Sequence, residues 1–137
     1  MAQTNTLPDG RNDKPYLRFS ANAAVSVAAA GNTTILQLRV DGMERLFVQF
    51  DVATNNLDAF LIKAKAHPDA TAVTLYSTAT DFTAPAGLLV GASGDLTAVA
   101  AAGTGWFVMD VRGLHEVTVQ ASASGGAAAV TVYAGGQ

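Results

Sequence analysis

Apolar and polar residues alternate along most of this chain, at the period of two that sends successive side chains to opposite faces of a strand. Over residues 45–52, Leu46, Val48, Phe50 and Val52 fall on one side, while Phe47 and Gln49 fall on the other. Over 57–66, Lys63 and Lys65 interleave with Ile62, Ala64 and Ala66. That alternation favours a strand with one wet face over the helix that Ala and Lys propensity alone would accept. Residues 16–20, 24–28, 33–40, 71–76, 88–90, 95–99, 106–111, 114–121 and 127–133 read as further strands. Within 33–40, Leu36, Leu38 and Val40 share a face with Thr34, and Ile35 lies off it. Asp41-Gly42 reads as a hairpin turn, Arg112-Gly113 as a tight turn, and Gly125-Gly126 as another reversal.

Roughly nine to eleven short strands with a turn every 8–12 residues is the spacing of an all-β sandwich or barrel. A strand–turn–strand unit occurs twice. Phe47-Val48 leads to Asp51-Val52, and Phe107-Val108 leads to Asp110-Val111; Leu57, Phe60, Ile62 and Ala64 then match Leu114, Val117, Val119 and Ala121. Two similar halves fit an all-β, jelly-roll-like antiparallel β-sandwich, with the copies as the matched central hairpins of facing sheets. Its expected core is Leu46, Val48, Phe50, Leu57, Phe60, Ile62, Val73, Leu75, Phe107, Met109, Val111, Leu114, Val117, Val119, Val130 and Val132. Residues 16–137 form this single domain, and the polar, turn-rich residues 1–15 form an extended N-terminal arm that docks on a neighbouring subunit.

Composition narrows the function. Charged residues are 14% of the chain, against roughly 25% in a typical soluble domain, which fits either an Ala- and Gly-rich composition as such or surface buried against copies of itself or a partner. After Lys65 the only Lys or Arg is Arg112, so the basic footprint of a nucleic-acid binder is missing. The chain has no cysteine, which excludes disulfides and thiolate metal sites. No apolar run is long enough for a transmembrane helix, and residues 1–20 lack the pattern of a secretory signal.

The candidate chemistry is thin. Asp51 with Asp58, or Asp110 with Glu116, would be needed close together for acid–base work, and they read as solvated turn acids. The oxygen-rich stretch Asp51, Asn55, Asn56, Asp58 lacks the spacing and Gly of an EF-hand loop. His67 reads as an exposed loop residue and His115 as lying on the wet face of its strand; two isolated histidines make neither a triad nor a zinc site. Gly91 and Gly94 have no lysine or helix start after them and do not form a phosphate loop. Buried packing is the expectation for Trp106, Tyr16, Tyr76 and Tyr133, with an exposed sugar-stacking platform as the alternative. No catalytic, cofactor or metal residue is assigned. The expected assembly contacts are Pro8, Arg11, Lys14 and Tyr16 of the arm.

The polar arm ending at Tyr16, the Ala-, Gly-, Thr- and Val-rich strands, and the closing run from Val117 through Gly125-Gly126 to Tyr133 together resemble small jelly-roll or sandwich proteins of tailed-bacteriophage virions, head decoration (cement) proteins among them. The resemblance spans residues 16–137 and matches no defining motif, so it carries over no functional residue. It implies a non-enzymatic virion protein without cofactors. Its partners would be the major capsid protein or other virion subunits, and it would be a homo-oligomer, often a trimer. The alternative is a glycan- or receptor-binding module of a phage tail or fibre.

Overall fold

Ten strands, all paired antiparallel, are formed by the described residues. The structure, a computed structural model, describes residues 18–21, 24–77, 88–90 and 103–137. The arm with Pro8, Arg11, Lys14 and Tyr16, and the strand expected over 95–99, lie outside the described residues. The strands are β1 (Arg18–Ala21), β2 (Val25–Val27), β3 (Thr33–Arg39), β4 (Arg45–Ala53), β5 (Asn56–Lys65), β6 (Val73–Ser77), β7 (Leu88–Val90), β8 (Gly103–Asp110), β9 (Glu116–Ser124) and β10 (Ala128–Gly136). The larger sheet runs β1-β10-β4-β8-β7, with β2 also paired to β10; the smaller runs β3-β9-β5-β6. The chain is thus an all-β sandwich of two open sheets. The pairs β2–β10, β3–β9, β4–β8 and β5–β6 nest inside one another. Rolling that long ribbon brings β4 beside β10 and β5 beside β9, which is the jelly-roll order.

The doubled unit is present but is not a pair of hairpins. β4 and β5 lie in different sheets, as do β8 and β9. Each copy is an arch that crosses from the larger sheet to the smaller, and the two arches lie side by side through β4–β8 and β5–β9. Asp41-Gly42 is likewise a crossing between sheets, not a hairpin, because β3 and β4 are not paired. Its turn closes with Met43 N–H donating to Val40 C=O at 3.0 Å, and the turn between β8 and β9 closes in the same way, with Leu114 N–H donating to Val111 C=O at 3.0 Å. Gly42 and Gly113, at φ 76° and 79°, hold the third position of these turns, where a side chain would be strained.

The core fills the space between the inner faces. β4 contributes Leu46, Val48, Phe50 and Val52, and β9 contributes Val117, Val119, Ala121 and Ala123. Phe50 of the larger sheet meets Phe60 of the smaller with ring centroids 4.9 Å apart. Each large apolar side chain buried here contributes about 1.5–3 kcal/mol. Two bulges adjust the pattern. Leu57 and Phe60 are three apart and would face opposite ways on an unbroken strand, but the irregularity at Asp58 turns both inward. A shift between Thr34 and Leu36 buries Ile35 beside Leu36.

The edge strand β6 departs from the expected core. Val73 and Leu75 are exposed, and Tyr76 is buried in their place. Tyr76 stands opposite Ile62, which faces inward, and the register slips immediately afterwards. The slip fixes which side of β6 faces the core.

Candidate functional site

The centre of the larger sheet is β10-β4-β8, and its outward residues stand in register across three strands. One row reads Thr131, Asp51, Thr104. The next reads Tyr133, Gln49, Trp106, and the next Gly135, Phe47, Val108. Because Leu46, Val48, Phe50, Phe107, Met109, Val132 and Ala134 face the core, strict alternation sends these rows to the outside. Trp106 is 36% exposed, Phe47 41% and Tyr133 46%. The rings of Phe47 and Trp106 stack with centroids 5.7 Å apart. Thr104 Oγ1 donates to Asp51 Oδ1 at 2.9 Å within the polar row.

The outer face of the smaller sheet has a different chemistry. Gln120 Nε2 donates to Thr34 Oγ1 at 3.1 Å, and Ser122 Oγ donates to Asp58 Oδ1 at 2.8 Å. Thr118 stands between Gln37 and Lys63. This is a ladder of hydroxyls and amides with few charges.

Charge collects at one end of the sandwich, where β3 and β8 finish and β4 and β9 begin. There it is matched within the chain. Arg39 donates to Asp41 Oδ2 from Nε at 3.2 Å and from Nη2 at 3.0 Å, and His115 Nδ1 lies 2.7 Å from Asp41 Oδ1. Burial pushes the Asp41 carboxyl up, but the hydrogen bonds and charges of His115 and Arg39 together outweigh it and hold it below the usual carboxylate range. Arg112 grips Asp110 through Nε at 3.0 and 3.1 Å. This hydrogen bonding, joined by a bond from the Arg112 N–H, holds Asp110 down at about 2. Lys65 Nζ lies 3.7 Å from Glu116. At the opposite end the described loops are built from residues such as Gly31, Asn32, Thr54, Asn55, Gly125 and Gly126. Asn55 Nδ2 donates there to Ala127 C=O at 2.9 Å and pins the β4–β5 loop to the β9–β10 loop.

These positions dispose of the chemical candidates among the described residues. Asp51 and Asp58 stand on the outer faces of different sheets and bind Thr104 and Ser122, so they do not converge on a cation. Asp110 and Glu116 each face a cation of their own. His67 is exposed, as expected, and its Nδ1 accepts from Asp69 N–H at 3.2 Å. His115 does not lie on a wet face. It is only 9% exposed, because it precedes β9 in the crossing turn and tucks against Asp41. No group of three or more His, Asp or Glu side chains able to hold a metal occurs among the described residues. No described helix is long and apolar enough to cross a membrane.

The aromatic residues reverse an expectation. Tyr76 is buried, but Trp106 and Tyr133 are not, because the inward phases of β8 and β10 are set by Phe107 and by Val132. Alternation alone marked Phe47 and Gln49 as outward. What it could not show was that β10 and β8 flank β4, so that Gln49 stands between two aromatic rings. No protein-family model matches the chain, and comparison with curated proteins and with solved structures finds no match to it.

Proposed function

We propose that this chain is a non-enzymatic structural protein of a tailed-phage virion, a decoration protein that binds the head shell and stabilises it. The observation that carries the reading is the disposition of charge. Most ionic groups of the described residues are gathered at one end, where Arg39–Asp41, Arg112–Asp110 and Lys65–Glu116 are matched within the chain, and Lys63 and Asp58 are the charges on the rest of the smaller sheet's described outer face. Subunit contacts are made at low cost by such surface, because the centre of an interface is depleted of charged residues and unpaired charge is expensive to bury. Binding across subunit boundaries then stabilises the assembled shell by mass action. The arm residues Pro8, Arg11, Lys14 and Tyr16 are proposed to add contacts to a neighbouring subunit, and self-association as a homo-oligomer, with a trimer implied by the resemblance, belongs to the same proposal.

The test is co-sedimentation of the purified chain with shells stripped of it. The full chain carrying Arg11→Ala, Lys14→Ala and Tyr16→Ala together is expected to remain folded and to bind shells much more weakly. Binding equal to that of the unsubstituted chain would remove the arm from the proposal, and failure of the unsubstituted chain to bind would remove the proposal itself.

A further inference from the structure

We propose that the outer face of the larger sheet is a binding site for a neutral carbohydrate, centred on the row Tyr133, Gln49, Trp106. This goes beyond the shell-binding role and uses the opposite face of the sandwich. The row spans three adjacent strands, so Tyr133 and Trp106 are rooted about 10 Å apart, twice the ~4.8 Å strand spacing, with Gln49 between them. Both rings keep more than a third of their surface open. Trp106 is stacked on Phe47, which lies on β4 one row along from Gln49, so little rotamer freedom remains to be lost on binding.

The chemistry of the rows selects the class of ligand. A sugar ring offers an apolar C–H face and a rim of hydroxyls. Aromatic side chains take the first, and a few placed polar groups take the second. Gln49 can donate and accept at once, and among the described residues its amide makes no hydrogen bond within the chain. The adjoining row supplies the hydroxyls of Thr131 and Thr104 and the Asp51 carboxylate that Thr104 orients. The central rows carry no cation. The nearest, Arg45, stands opposite Asp110. With Asp51 as the charge beside the aromatic row, an acidic sugar is repelled and a neutral one is not. A protein partner would use the same aromatic residues, but it would not require an amide and a hydroxyl row facing open solvent between them.

Trp106 is the only tryptophan, so its emission reports on this face directly. The full chain is titrated with cello-, malto-, manno- and chitohexaose, and with polygalacturonate as the acidic contrast. A saturable emission change is expected with at least one neutral hexaose and not with polygalacturonate. Gln49→Ala and Tyr133→Ala, both outward-facing and both retaining the tryptophan, are each expected to weaken that binding about tenfold or more, equivalent to about 1.4 kcal/mol. A flat response to all four neutral sugars overturns the proposal, as does equal binding by the two variants. If instead the variants lower the oligomeric mass in solution while no sugar is bound, the face is an interface between copies of this chain, and the proposal is likewise overturned. Shell co-sedimentation by Gln49→Ala is expected to be unchanged, which separates failure of this site from failure of the structural role.

Discussion

Ile62 on β5 stands directly opposite Val119 on β9, and the two are the same position in the two copies of the chain's repeated unit. The pairs on either side exchange positions: Phe60, the counterpart of Val117, faces Ala121, and Ala64, the counterpart of Ala121, faces Val117. In the larger sheet Phe47 faces Val108 and Val48 faces Phe107. The two arches are therefore paired symmetrically about the middle of both sheets, and in the smaller sheet a large residue meets a small one on each side of the centre.

This complementarity predicts a coupled response in the core. Phe60→Ala is expected to cost about 3–5 kcal/mol, and Ala121→Phe about 1–3 kcal/mol by overpacking. The double substitution moves the ring across the pair, and it is expected to cost clearly less than the sum of the two. Denaturant unfolding of the four proteins measures this, and strict additivity would show that the two sites do not share one space.

Asp41, in the turn that leads from β3 into β4, reaches His115 just before β9 of the second arch. Asp41→Ala removes the acceptor of both Arg39 and His115. The pair with Arg39 is exposed and worth roughly 0.2–1 kcal/mol, while the loss leaves His115, almost buried, without its partner. A total of about 1–2 kcal/mol is expected from thermal or denaturant unfolding.

Acid should act through the same end of the sandwich. Asp110 titrates at about 2 in the folded chain, against about 3.9 for a free Asp. A lowered folded value means that the contribution to stability is complete above the unfolded pKa and is lost as pH falls from about 4 toward 2. Asp41 is shifted in the same direction and adds to the slope. Carboxyl NMR titration of Arg112→Ala is expected to raise Asp110 part of the way to its ordinary value, since the Arg112 side chain is its main perturbation and the backbone N–H at 112 remains.

Thr54 holds φ at 78° in the β4–β5 loop, a left-handed conformation in a β-branched residue. That geometry costs roughly 1–2 kcal/mol in an L-residue. Thr54→Gly removes the strain, and the extra freedom of Gly in the unfolded chain offsets about 0.4–1 kcal/mol of the gain. A net stabilisation of about 0.5–1 kcal/mol is expected from denaturant unfolding, with the shell and sugar assays unaffected.

The alternation of apolar residues made the strands and most of the core legible, because burial of one face imposes the period of two. The repeat was legible as well, through Phe47-Val48 and Phe107-Val108 and the matched apolar positions that follow. What could not be read was the partner of each strand. Local turn signals such as Asp41-Gly42 look alike whether the chain returns beside itself or crosses to the other sheet, so the arches looked like hairpins. The inward phase of β6 was hidden for a related reason: Val73, Leu75 and Tyr76 are all apolar enough to be buried, and the slip opposite Ile62 decides among them. The aromatic row needed both pieces, the phase of β8 and β10 and their places on either side of β4.

The proposed role makes this protein a component of a virus particle. Quantitative mass spectrometry of virions purified from the genome that encodes the chain tests it most directly. A decoration protein is expected in the particle at a fixed ratio to the major capsid protein, with particles lacking it losing their contents at lower temperature. Virions that contain none of it, or that hold it in no constant ratio to the shell, would overturn the proposed role.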